Sequence, residues 1–180
     1  ASPQLVGYNG APTETSSVFP TIYGLALGKL RRLPNFRIRK AASENYAPNR
    51  GYDPADWVSG AVMMIRREAW DAVGGFESNF FLYYEDIDLC RRVRAAGWEV
   101  GIVLDATAIH ESGGSQWRPG TRTRAERIYF ESQAYYFRKH HGRVAEFILR
   151  AVRLPYVATG LRRWYLRRFG VQVHVDHSAT

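Results

Sequence analysis

Between Gly74 and Gly97 the chain reads GGFESNFFLYYEDIDLCRRVRAAG. Three carboxylates (Glu85, Asp86 and Asp88) fall within four positions, directly behind the aromatics Phe80, Phe81, Tyr83 and Tyr84. Ile87, Cys90 and Val93 recur at the spacing of one helix face, which leaves Arg91, Arg92 and Arg94 mostly outside. The pattern predicts a helix over about Glu85–Ala96 with Gly97 as its cap, and it puts the carboxylates at the N-terminus. There the free N–H groups and the helix dipole stabilise anions. An ordinary helix cap with acidic residues in its first turn accounts for the same letters. The aromatic block, the local acidity and a strand-terminal histidine 24 residues later argue for a site instead.

That acidity is local. The chain has 180 residues and a formal net charge of +8. Residues 51–117 nevertheless carry eleven Asp/Glu against five Lys/Arg, whereas residues 118–170 carry thirteen Lys/Arg against three Asp/Glu. An acidic centre with basic flanks suits a site that handles anions or metals, and a basic arm suits phosphate or anionic lipid. With 46% hydrophobic residues the composition is globular. The single cysteine, Cys90, excludes an internal disulfide framework and fits a reducing cytosol. No uncharged apolar run approaches the roughly 20 residues of a membrane span, and no signal peptide is visible. The first residue is Ala1 rather than Met, which suggests a fragment or a processed chain.

In chain order, Gln4–Tyr8 reads as a strand before an Asn9-Gly10 turn. Thr21–Leu33 reads as a helix stopped by Pro34, and residues 34–55 as a long surface loop. Val58–Ile65 is almost wholly apolar or small and predicts a strand buried on both faces. Arg67–Val73 is a short helix ended by Gly74-Gly75 in left-handed conformation. Trp98–Leu104 is a strand, Asp105 turns the chain, and Ala106–His110 is a second strand. Thr123–His141 is a long helix closed by Gly142. Val144–Gly170 is a last helical arm interrupted at Pro155, and residues 171–180 fray. Residues 1–120 form one α/β unit, 121–170 a helical and basic C-terminal extension, and 171–180 a tail.

The acidic cluster fits some chemistries poorly. Glycoside hydrolysis needs two carboxyls on opposite sides of the scissile bond, roughly 5–9.5 Å apart. Neighbours such as Glu85 and Asp86 do not straddle a sugar that way. An EF-hand needs a glycine at its turn and a bidentate Glu at its end, and neither follows Asp86 and Asp88. One base acting on an acceptor hydroxyl is an easier role. His110, alone at a strand end, is more often structural than a ligand, and as a ligand it needs carboxylates from elsewhere.

Three motifs in order, DWVSGA at 56–61, GGFESNFFLYYEDIDLCRRVRAAGW at 74–98, and a strand ending in His110 with the loop HESGGS, resemble the C-terminal half of a family 2 glycosyltransferase of the GT-A fold. The likeness is greatest to rhamnosyltransferase-like members of the bacterial cell envelope. It implies a partial GT-A (Rossmann-like) sheet. It also implies inverting transfer of a single sugar from a nucleotide-sugar donor to a glycan or polyprenyl-linked acceptor. By resemblance, Asp86 is the catalytic base and Glu85 orients the acceptor or the base. Trp57, Ser59 and Gly60 line the sugar pocket. Tyr84 and its neighbours offer a stacking wall, although core packing is the commoner use of such aromatics. His110 is a ligand to Mn²⁺ or Mg²⁺. The family's main Asp-x-Asp ligands are absent: the only Asp-x-Asp, Asp86–Asp88, belongs to the base motif. The nucleotide-binding half is absent as well.

The arm from Arg143 carries seven arginines against Glu146, with Trp164, Tyr165 and Phe169 interleaved. It reads as an interfacial helix for an anionic membrane surface, which places the protein peripherally on the cytoplasmic face. A solvated basic helix is the plainer alternative. No nucleic-acid motif accompanies it, so nucleic acid is not an expected partner. Two rival readings of the whole are a non-catalytic fragment and a peripheral module that binds membranes or anionic polymers.

Overall fold

A computed structural model describes residues 1–13, 16–22, 24, 51–110 and 121–158, with side chains left undescribed at 121–123 and 153–158. The expected helix over Thr21–Leu33, most of the loop 34–55, the HESGGS loop, the arm beyond Ala158 and the tail 171–180 lie largely or wholly outside these residues. The described part is mixed α/β. Its elements are strands β1 (Ser2–Val6), β2 (Ser16–Ser17), β3 (Tyr52–Pro54) and β4 (Trp57–Val58), helices α1 (Arg67–Val73) and α2 (Glu85–Ala95), strand β5 (Gly101–Ile109) and helix α3 (Thr121–Ala158).

One sheet has the order β1-β5-β3, with β1 parallel and β3 antiparallel to the central β5; β2 and β4 form a small antiparallel ribbon. The mixed small sheet with helices fits a partial GT-A-like domain. Asp105 does not turn the chain: β5 is one strand of nine residues. The disruption takes the form of a bulge. Pro3 pairs with Val103 but Gln4 with Thr107, and the Gln4 side-chain amide donates to the Leu104 carbonyl at 2.8 Å across the gap. β3, inside the expected loop 34–55, pairs Tyr52 with Val103.

The expected buried strand Val58–Ile65 is also corrected. It stops after Val58 and becomes a turn, and Met64 is 80% exposed. The cause is local. The Ser59 hydroxyl accepts the Ala61 N–H, and the Gly60 N–H points to Asp86 instead of to a neighbouring strand.

Helix α2 lies between two cores. Leu89, Cys90 and Val93 pack with Val58, Val100 and Ile102 on the sheet side. Tyr84, just ahead of the helix, and Phe80 pack with Ala134, Tyr136, Phe137, Ala145 and Leu149 of α3, and Ile87 joins them. The arginines expected mostly outside α2 are tied down, because each finds a carbonyl, phenol or carboxylate within reach. Arg91 donates to the Tyr136 hydroxyl at 3.0 Å. Arg92 donates to the carbonyls of Val73 and Gly75, both at 2.7 Å. Arg94 pairs with Asp56 at 2.5 Å. The expected left-handed Gly74 and Gly75 end α1 at φ 71° and 70°. Gly142 breaks the helical geometry inside α3 at φ 85°, as expected of a cap, and the expected second helical segment follows it. It continues through Pro155 to Ala158. A proline there forfeits one backbone hydrogen bond, too little to stop it.

Candidate active site

Helix α2 begins on strained backbone. Tyr83 and Tyr84 both have positive φ (65° and 67°), a region that bulky side chains rarely occupy. The surroundings hold them there. Tyr83 packs edge-on against Tyr129, while buried Tyr84 packs against Tyr129 and Tyr136 and accepts a short hydrogen bond from the Gln133 amide. The Ser132 hydroxyl donates to the Leu82 carbonyl at 2.8 Å. Strain over-determined by packing in this way clusters at functional sites. Its effect here is to present Glu85 and Asp86 in the first turn of α2 without any side-chain cap.

Asp86 is the better held of the pair. Its Oδ2 accepts the Gly60 N–H at 2.9 Å and its Oδ1 the Ile87 N–H at 2.8 Å. Burial pushes its carboxyl above the ordinary range, and the two N–H donors restrain that rise. Burial also raises Glu85, and the charge of Asp86 raises it further. Glu85 Oε2 is buried with no hydrogen-bond partner among the described residues. Two adjacent carboxyls are thus raised together, one anchored by two N–H donors and one with an open acceptor oxygen.

Of the residues expected at the site, the structure brings together Glu85, Asp86 and Gly60, with Ser59 in the same turn. Gly60 lies close against the acid, since a Cβ there would sit a tight 3.3 Å from the Asp86 Cβ. Trp57 is half-buried at the base of this turn, and its indole N–H donates to the Val18 carbonyl at 3.0 Å. Tyr84 is 5% exposed, so its ring builds the core behind the carboxylates and offers no open stacking face. His110 stands at the end of β5. Its backbone N–H donates to the Val6 carbonyl at 2.9 Å, and its imidazole makes no hydrogen bond among the described residues. No group of three or more His, Cys, Asp or Glu among those residues could hold a metal ion. The described residues therefore do not make a metal site by themselves.

Sequence reasoning counted Asp88 with the acidic cluster and gave it no role of its own. It is fully buried and receives Arg92 at 2.7 Å, Lys139 at 2.8 Å and His140 at 2.7 Å. Burial alone would raise its carboxyl, but the hydrogen bonds from His140, Lys139 and Arg92 outweigh that and pull it down to about 2. It locks α3 to the helix that carries Glu85 and Asp86. The only sequence signal was Asp88-x-x-x-Arg92, the i, i+4 spacing of a helical ion pair. A cavity of about 670 Å³ bordered by Leu89, Cys90 and Val93 reaches neither Glu85 nor Asp86.

The profile of glycosyl transferase family group 2 matches residues 36–171. The chain belongs to that family. Among curated relatives, this family 2 chain is 40% identical over 65 residues to the N-acetylglucosaminyl-diphospho-decaprenol L-rhamnosyltransferase of Mycobacterium tuberculosis, covering 36% of the chain and 21% of the relative. It is 42% identical over 55 residues to the rhamnosyltransferase WbbL of Escherichia coli, covering 31% and 21%. It is 27% identical over 128 residues to the low-salt glycan biosynthesis hexosyltransferase Agl10 of Haloferax volcanii, covering 71% and 36%. The matched segment thus spans about a fifth of the length of the two rhamnosyltransferases. No solved structure matches.

Proposed function

We propose that this chain is the acceptor side of an inverting glycosyltransferase that adds a single sugar to a polyprenyl diphosphate-linked glycan in cell-envelope polysaccharide synthesis. The observation that carries the reading is the Asp86 carboxylate, raised by burial, anchored by the Gly60 N–H and paired with Glu85. A base placed this way takes the proton of the acceptor hydroxyl. The freed oxygen electron pair forms the new bond to the anomeric carbon from the face opposite the leaving group. The bond from that carbon to the nucleotide diphosphate breaks, and its electron pair leaves with the diphosphate. Glu85, with its open buried oxygen, holds a second acceptor hydroxyl. Ser59, Gly60 and Trp57 shape the pocket in front of the pair. The nucleotide-sugar is held by residues other than those described, and His110 enters at most as one ligand of a divalent-ion site completed elsewhere.

The polyprenyl acceptor is supported by the M. tuberculosis relative, whose name specifies a decaprenol-linked substrate. It is also supported by α3, where Val144 and Phe147 are each 72% exposed and share a face with Ile148 and Val152. An apolar stripe of this kind beside Arg143 suits the surface of an anionic membrane, on the cytoplasmic face. No helix among the described residues is long and apolar enough to cross one. The mechanism is tested by the anomeric configuration of the product, read by NMR in the complete protein. Inversion is expected. Retention is incompatible with a single in-line displacement by the deprotonated acceptor oxygen and would overturn a base role for Asp86.

A further inference from the structure

A second concavity of about 390 Å³ opens along α3 beside the loop that leads into the catalytic pair. Its charge comes from Arg124, Arg127 and Arg138, which share one helix stripe with Glu131. The opposite wall is the segment from Asn79 to Phe81. It is fastened to α3 by the Asn79 amide donating to the Tyr135 hydroxyl at 3.0 Å, and Phe81 stands 77% exposed at the lip. Three guanidiniums line the groove against one lining carboxylate, Glu131, and with Glu146 3.9 Å from Arg138 the balance stays positive in a groove large enough for a small ligand.

The arginines are only loosely engaged. Arg127 meets Glu131 at 3.1 Å, but both side chains are largely exposed, and such pairs contribute little. Arg138 lies over the Tyr135 ring, 5.1 Å from its centroid, and only 3.9 Å from Glu146. Arg124 makes no ion pair among the described residues. Guanidinium forks match phosphate oxygens in pairs, and they exchange an exposed carboxylate for a phosphate with a gain in charge complementarity. The apolar ring of Phe81 beside them suits the first isoprene of a lipid. This wall ends four residues before Glu85 on the same loop.

We infer that this groove binds the diphosphate of the lipid-linked acceptor, with Phe81 against the start of the polyprenyl chain. The inference rests on the acceptor-side reading above, yet it assigns a binding site separate from Asp86. The groove fixes the lipid end of the acceptor while its sugar reaches the carboxylates. An acceptor that carries the same sugar without a diphosphate loses this contact.

The test is equilibrium binding of farnesyl diphosphate and of farnesol to the complete protein. The wild type is expected to bind farnesyl diphosphate at least about tenfold more tightly than farnesol. Combined Arg124→Gln, Arg127→Gln and Arg138→Gln should abolish that difference. Glu131→Gln, a change at an exposed position, should tighten the diphosphate by about threefold. Asp86→Asn should leave both affinities unchanged, so that failure of the base assignment and failure of the groove are told apart. Unchanged diphosphate affinity in the triple variant overturns the inference, as does equal binding of the two probes by the wild type. If the triple variant loses binding to phosphatidylglycerol vesicles but keeps farnesyl diphosphate, the arginines serve the membrane surface and the inference is likewise overturned.

Discussion

Replacing Asp88 with Asn removes one negative charge from a fully buried position and changes the shape of the side chain little. It strands Arg92, Lys139 and His140, all within 2.8 Å of the carboxylate. Two routes give the magnitude. A carboxyl held at about 2 instead of 3.8 contributes about 2 kcal/mol at neutral pH through proton linkage. Breaking a buried ionic cluster from one side costs about 3–5 kcal/mol, since the abandoned charges stay desolvated. The expected loss is therefore between about 2 and 5 kcal/mol, read as a lower urea midpoint at pH 7 with an unchanged slope. The sign with pH follows from the depressed value. The stabilisation is present in full above the unfolded carboxyl's range and is lost as pH falls through about 2, so the gap between Asp88→Asn and wild type should close on acidification. A variant as stable as wild type at pH 7, or a gap that does not narrow in acid, would refute the assignment of Asp88 as the clamp between α2 and α3.

Other outcomes follow from the same geometry. Gly101→Ala should unfold or severely destabilise the chain, because a Cβ there runs into the Asp53 carbonyl and comes within 2.7 Å of the Tyr52 ring; a melting temperature within a few degrees of wild type would contradict this. Burial pushes the Cys90 thiol up to about 11, so a maleimide should label it at pH 7 only after denaturant is added. The transfer rate should fall as pH drops through the raised Asp86 range, because the base is then protonated; a pH-rate profile flat through the carboxylate range would disprove this.

Much of α2 was legible in the sequence, because its signals are local. Apolar spacing fixed its length, and the flanking glycines adopt the left-handed geometry that their lack of a Cβ permits. The pairing of Gly60 with Asp86 was only half legible. The resemblance placed Gly60 in the pocket, but the apolar run around it suggested a strand, since nothing local reveals that the Gly60 N–H bonds to a carboxylate 26 residues away. Asp88 and Tyr84 were misjudged for the same reason. Their partners, Lys139, His140 and Gln133, come from α3 about fifty residues later, and periodicity carries no information across that distance. Two consecutive tyrosines at positive φ run against local preference altogether, and only the packing of α3 explains them. The continuous β5 shows the converse: Asp105 has turn chemistry, but pairing with both β1 and β3 overrides it and leaves a bulge.

The central claim is that Asp86 is the base. It is tested most directly by Asp86→Asn in the complete protein, with single-turnover transfer and nucleotide-sugar binding measured on the same preparation. The account predicts donor affinity within about twofold of wild type and transfer reduced by at least about a hundredfold, the lower range for loss of a general base. Transfer within tenfold of wild type, with donor binding intact, would contradict it.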